Sequence, residues 1–154
     1  MRSRLVMSLA CVLLFTTASS CIRYYKTAKV RARLAKGLRK FDAGVAKAGR
    51  DLGLKRRVTQ ERALTSIPRV KRLLETMQAR FGQLRALRAT YVALQRDFEK
   101  IARGRSRIRS DHPQWAPLQQ LKERATRLGE KVKGVGKAYS NASNQLAKRL
   151  GHRR

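Results

Sequence analysis

The chain has 154 residues, of which 38 are Lys or Arg and 9 are Asp or Glu, a formal net charge of +29. With 42% apolar residues, 6% aromatics, three prolines and two cysteines, it has the make-up of one lean domain packed from Leu, Val and Ala, and excludes a disulfide scaffold. Charge on this scale repels itself, so it disfavours a homodimer and implies an anionic partner or a dense counterion layer.

The first predicted element is MRSRLVMSLACVLLFTTASSC. Arg2 and Arg4 precede an apolar run from Leu5 to Phe15 that only Ser8 interrupts, and Thr16 to Ser20 are small. That order is the order of an export signal. The run of eleven residues is well short of the roughly 20 that a membrane-spanning helix needs. Cys21, directly after Ala18, Ser19 and Ser20, resembles the lipobox of bacterial lipoproteins. The resemblance covers residues 1–21 and implies cleavage between Ser20 and Cys21, with lipid (palmitate among its acyl chains) carried by Cys21. Ile22 in place of Asp resembles the lipoproteins passed on to the outer membrane. The implied location is the cell envelope, lipid-anchored at the outer membrane and facing the periplasm. Ala18 with Ser20 also suits an ordinary signal peptidase, which would leave a secreted or periplasmic chain, and the remaining alternative is a retained N-terminal helix or a cytosolic chain. Cys11 lies inside the apolar run and reads as part of the signal. Removal of residues 1–20 and acylation of Cys21 leave 154 − 20 = 134 residues without a free thiol, so packing alone must hold the fold.

Residues 21–33 read as a lipidated basic tether, with Tyr24 and Tyr25 as interfacial aromatics or as the start of the first apolar seam. Leu34, Leu38, Phe41, Val45, Ala48 and Leu52 then predict a helix over 34–52, with Gly53 in the position of a C-terminal cap. The stretch LKRRVTQERALTSI reads as a basic linker of a helical turn or two, which exposes Lys55, Arg56 and Arg57.

Ser66 as N-cap and Pro68 in the first turn open a longer helix, 67–103. Its a and d positions are Val70, Leu73, Met77, Leu84, Leu87, Tyr91, Leu94, Phe98 and Ile101, with Ile108 continuing the series. Arg80, beside Phe81, and Arg105 interrupt it. More than four heptads is the pattern of a coiled coil or bundle. The breaker-rich SDHPQWAP makes a turn that holds His112, and Trp115 there either caps the core or anchors a partner. A last helix over 116–150 carries Leu118, Leu121, Ala125, Leu128, Val132, Val135, Tyr139, Ala142 and Leu146. Gly129, Gly134 and Gly136 weaken it by about 1 kcal/mol each relative to Ala, so it should be the softer arm. Residues 151–154 are a basic tail. The expected fold is all-α: an antiparallel hairpin of heptad helices completed by a shorter N-terminal helix, one three-helix bundle over 34–150.

Nothing in the chain has the pattern of a catalytic site, and the protein is not expected to be an enzyme, to hold a metal or cofactor, or to take a small-molecule substrate. GEKVKGVGK resembles a P-loop only in passing, because Lys131 stands where its first glycine belongs and no strand precedes it. His112 and His152 have no Cys or acidic pair at ligand spacing. Asp97 and Glu99, two apart on a helix, point in different directions and are expected to pair locally with Arg96, Lys100 or Arg103.

Charge is the informative anomaly. Between Arg69 and Arg109 twelve bases face three acids, 12 − 3 = +9, or one unbalanced charge about every 7 Å of helix. That spacing lies within the screening length of about 8 Å at physiological salt. Arg outnumbers Lys 25 to 13, and the guanidinium fork suits phosphate and carboxylate, although a GC-rich genome raises Arg as well. The expected anion-binding residues are Lys55, Arg56 and Arg57 in the linker and Arg103, Arg105, Arg107 and Arg109 in the turn, flexible bases that adapt to an irregular surface. In the envelope the anions are phospholipid head groups, lipopolysaccharide, peptidoglycan or other glycan. A second reading is a binding module for protein clients, as in basic helical periplasmic chaperones and pilotins. If the chain is not exported, the same charge reads as nucleic-acid binding.

Overall fold

The computed structural model describes residues 24–151, and within them the apolar seams become three long helices and a short ribbon. The signal-like stretch, the Ser20–Cys21 cleavage site and His152 to Arg154 lie outside the described residues. In chain order the elements are β1 (Tyr24–Lys26), α1 (Thr27–Glu61), a single 3-10 turn (Leu64–Ser66), α2 (Pro68–Ala102), β2 (Arg107–Arg109) and α3 (Trp115–Gly151). α2 and α3 form the hairpin, and α1 returns along α2 and touches α3 more lightly.

The heptad reading of α2 is visible in what it buries. Val70, Met77, Leu84, Tyr91 and Phe98, spaced by sevens, are all buried, with Leu94 between the last two. Leu73, Leu87 and Ile101 are half-buried at the edges of the seam, and Phe81 packs against the core next to Arg80. In α3 eight of the nine seam residues are buried, and Val135 is half-buried. Pro68 takes the first turn of α2, where its missing N–H leaves no bond unmade, but the residue before the helix is Ile67 and no side chain caps it. Gly104, at φ +68°, lets the chain leave the end of α2 in the left-handed conformation.

The first helix is the main correction. It spans 35 residues, the same as α2, where a shorter helix over 34–52 is expected from the apolar seam. Its two extensions are hard to see because they bury Thr27, Val30 and Thr59 rather than a run of leucines. Thr59 satisfies its own hydroxyl against the Lys55 and Arg56 carbonyl oxygens, at 2.9 and 2.8 Å, so it packs at no polar cost. Gly53 is an ordinary exposed helical residue and ends nothing. Most of the expected basic linker is therefore the last two turns of α1, and most of the expected tether is its first two.

The second correction is a two-stranded antiparallel ribbon, which pairs Tyr24 with Arg109, Tyr25 with Ile108 and Lys26 with Arg107. It joins the start of α1 to the α2–α3 connection. Ile108, fully buried, is its inward wedge, while Tyr25 stacks on Trp115 with ring centroids 5.0 Å apart. Thr27 staples the junction: its hydroxyl donates to the Arg105 carbonyl at 2.7 Å and its N–H to the Ser106 carbonyl at 3.1 Å. Trp115 thus closes the core at this end of the bundle.

Candidate anion-binding surface

Three of the carboxylates form ion pairs that bridge neighbouring helices. Arg31 on α1 forms a two-pronged pair with Glu99 on α2, both bonds 2.8 Å. Arg88 on α2 does the same with Asp42 on α1, at 2.6 and 3.2 Å, and Arg124 on α3 reaches Asp97 on α2 at 2.9 Å. Asp97 and Glu99 do point apart as expected, but each serves a different neighbouring helix rather than a base on its own. The Arg31 hydrogen bonds hold the Glu99 carboxyl below its usual range, against the opposing effect of burial. All three pairs lie on the surface and are screened by salt, so they orient helices more than they stabilise them.

A second polar group is internal. The Tyr139 hydroxyl donates to the Ala48 carbonyl at 2.7 Å, and Asp51, 3.1 Å from that hydroxyl, accepts from Ser143 at 2.8 Å. Tyr91 donates to the Leu34 carbonyl at 3.1 Å. Burial pushes the Tyr91 phenol up to about 12, and burial with the neighbouring Asp51 charge pushes Tyr139 up as well. A folded-state pKa above the unfolded value near 10 means stability that is complete below about pH 10 and falls as pH rises towards 12. Tyr91→Phe removes that titration. Between about pH 9 and pH 12 the wild type should lose roughly 2–3 kcal/mol more than the Tyr91→Phe variant. Urea unfolding of both proteins at the two pH values measures this, and parallel profiles would contradict the burial of Tyr91.

The seven expected anion-binding residues do not form one site. Lys55, Arg56 and Arg57 lie in the last turns of α1, whereas Arg103 to Arg109 lie beside its first turn. From Thr27 to Arg56 is 29 residues of helix, about 43 Å. Nor are they all free or flexible. Lys55 is half-buried and 3.6 Å from Asp51, and Arg56 donates to the Gln78 side chain at 2.7 Å. Arg105 donates to the Arg103 carbonyl at 3.1 Å and approaches His112 at 3.3 Å, while Arg109 pairs with Asp111 at 3.0 Å. Arg57, Arg103 and Arg107 are exposed.

The missed feature is the ribbon's outer face. Alternation along the strands sends Tyr25 and Ile108 inward and Tyr24, Lys26, Arg107 and Arg109 outward. The Arg107 guanidinium carbon lies 5.2 Å from the centre of the Tyr24 ring, a cation–π contact across the two strands. The signal was in the sequence as Arg107-Ile108-Arg109, an apolar residue between two bases, which has the period of a strand.

Elsewhere, an open groove of about 540 Å³ between α2 and α3 is lined by Ala86, Leu87, Val135 and Ala138 together with Arg80 and Lys131. GEKVKGVGK is continuous helix within α3. Among the described residues no cluster of His, Cys, Asp and Glu could hold a metal ion, and no helix is long and apolar enough to cross a membrane. Compared with protein-family models, curated proteins and solved structures, the chain matches none.

Proposed function

We propose that this chain is a non-enzymatic lipoprotein of the bacterial envelope, anchored through Cys21, whose basic helical bundle binds an anionic surface or polymer. The observation that carries the reading is the division of labour among charges. Among the described residues six of the nine Asp and Glu side chains form ion pairs, three of them between helices, while exposed bases lie on all three helices and both strands. The residual field is strongly positive along the whole bundle, which suits an extended polyanion better than a single small ligand. An exported chain meets such anions in phospholipid, lipopolysaccharide, peptidoglycan and glycan.

The groove beside Leu87 and Val135 favours a second reading, a periplasmic module for protein clients. Salt separates the two. Binding that displaces counterions weakens as salt rises, whereas apolar contact with a client holds or strengthens, most clearly in sulfate. The processed protein, taken from membranes at low salt, should release a phosphate- or carboxylate-rich polymer as salt is raised. Retention of unfolded protein through the same wash would instead support the client reading.

A further inference from the structure

We infer that the outer face of the β1–β2 ribbon is the protein's membrane-contact surface, with Lys26 and Arg107 binding the phosphates of anionic phospholipid head groups. This rests on the anchored reading, since it uses where the anchor would be. Cys21 is three residues before Tyr24, and three residues span at most about 11 Å of chain. A lipid on Cys21 therefore keeps the ribbon within roughly one screening length of the bilayer surface, where exposed bases feel head-group charge. The basic residues at the end of α1 lie some 43 Å along the helix, so the short link to the anchor does not by itself hold them at the surface.

The face has the make-up that an interface requires. Tyr24 is 47% exposed, and its ring, with an apolar body and a polar tip, suits the head-group region. Lys26 and Arg107 face each other across the ribbon, and Arg107 is held over the Tyr24 ring. Arg109 also faces outward, but Asp111 partly neutralises it, and Arg103 is exposed in the adjoining loop. The buried Ile108 and the Thr27 staple fix the ribbon on the bundle, so these groups meet the surface already arranged and little order is lost on contact.

Trp115 is the sole tryptophan and stacks on the inward Tyr25, so it reports on the ribbon from behind. The test reconstitutes the full processed protein in vesicles of phosphatidylcholine, alone or mixed with phosphatidylglycerol, each with a spin-labelled head group that quenches nearby fluorescence. Phosphatidylglycerol should increase quenching of Trp115 at low salt, and salt should reverse the increase. Lys26→Gln with Arg107→Gln should weaken the phosphatidylglycerol-dependent part by roughly 25-fold, at about fivefold in binding per charge. Lys26→Arg with Arg107→Lys should keep it, which separates loss of charge from loss of fold. Arg56→Gln with Arg57→Gln should also keep it. Equal loss from the two neutralising pairs, or quenching indifferent to phosphatidylglycerol in the wild type, would overturn the assignment. Flotation with pure phosphatidylcholine vesicles reads the anchor separately. Failure to float, with phosphatidylglycerol-dependent quenching intact, would count against lipidation and in favour of the ribbon.

Discussion

Cys21→Ser is expected to abolish lipid attachment altogether, because no other thiol stands near the end of the signal-like stretch. The variant should accumulate as precursor or as a soluble form. Any membrane association of the soluble form should come off in a salt wash, since electrostatic attraction to head groups is screened whereas an acyl chain in the bilayer is not. Partitioning of the variant into detergent to the same extent as the wild type would refute the lipid anchor. The mass of the wild-type N-terminal peptide gives the same answer from the other side.

Phe98→Ala should be the most damaging single change in the bundle. Phe98 is wholly buried, the last of five residues spaced by sevens along α2. Truncation removes its transfer free energy and leaves a cavity among neighbours that cannot all collapse, for a cost of roughly 3–5 kcal/mol. Domains of this kind have about 5–15 kcal/mol in all, so the melting temperature should fall by roughly 10–20 °C. The exposed Arg96→Gln, two residues away, should leave melting almost unchanged. A small shift at Phe98 would mean that the register of α2 differs from the one described.

How much of this was legible in the sequence depended on which residues line each seam. α2 and α3 bury large aliphatic and aromatic side chains at regular intervals, and a period of three and four identifies them with little ambiguity. The ends of α1 bury threonines whose hydroxyls find partners only once the chain is folded, so the same rule stops short there. Gly53 looked like a helix end because glycine often is one, yet tertiary packing of α1 on α2 carries the helix through it. The pairing of the ribbon was beyond local reading for a different reason. Its two strands of three residues are more than eighty positions apart, and neither has any stability until the hairpin brings Arg107 to Arg109 beside Tyr24 to Lys26. The division of the seven expected basic residues between two ends of the bundle follows from the length of α1, which the apolar pattern had understated.

The central claim, that the bundle is built to engage an anionic surface or polymer, is tested most directly by the salt dependence of its binding. The processed protein should bind lipopolysaccharide or anionic vesicles at about 50 mM salt, and the logarithm of the binding constant should fall linearly and steeply with the logarithm of salt concentration. Replacement of Arg103, Arg105, Arg107 and Arg109 by Gln should flatten that line while circular dichroism shows the helices intact. No affinity for any anionic envelope polymer at that salt would contradict the account and leave base composition as the explanation of the charge.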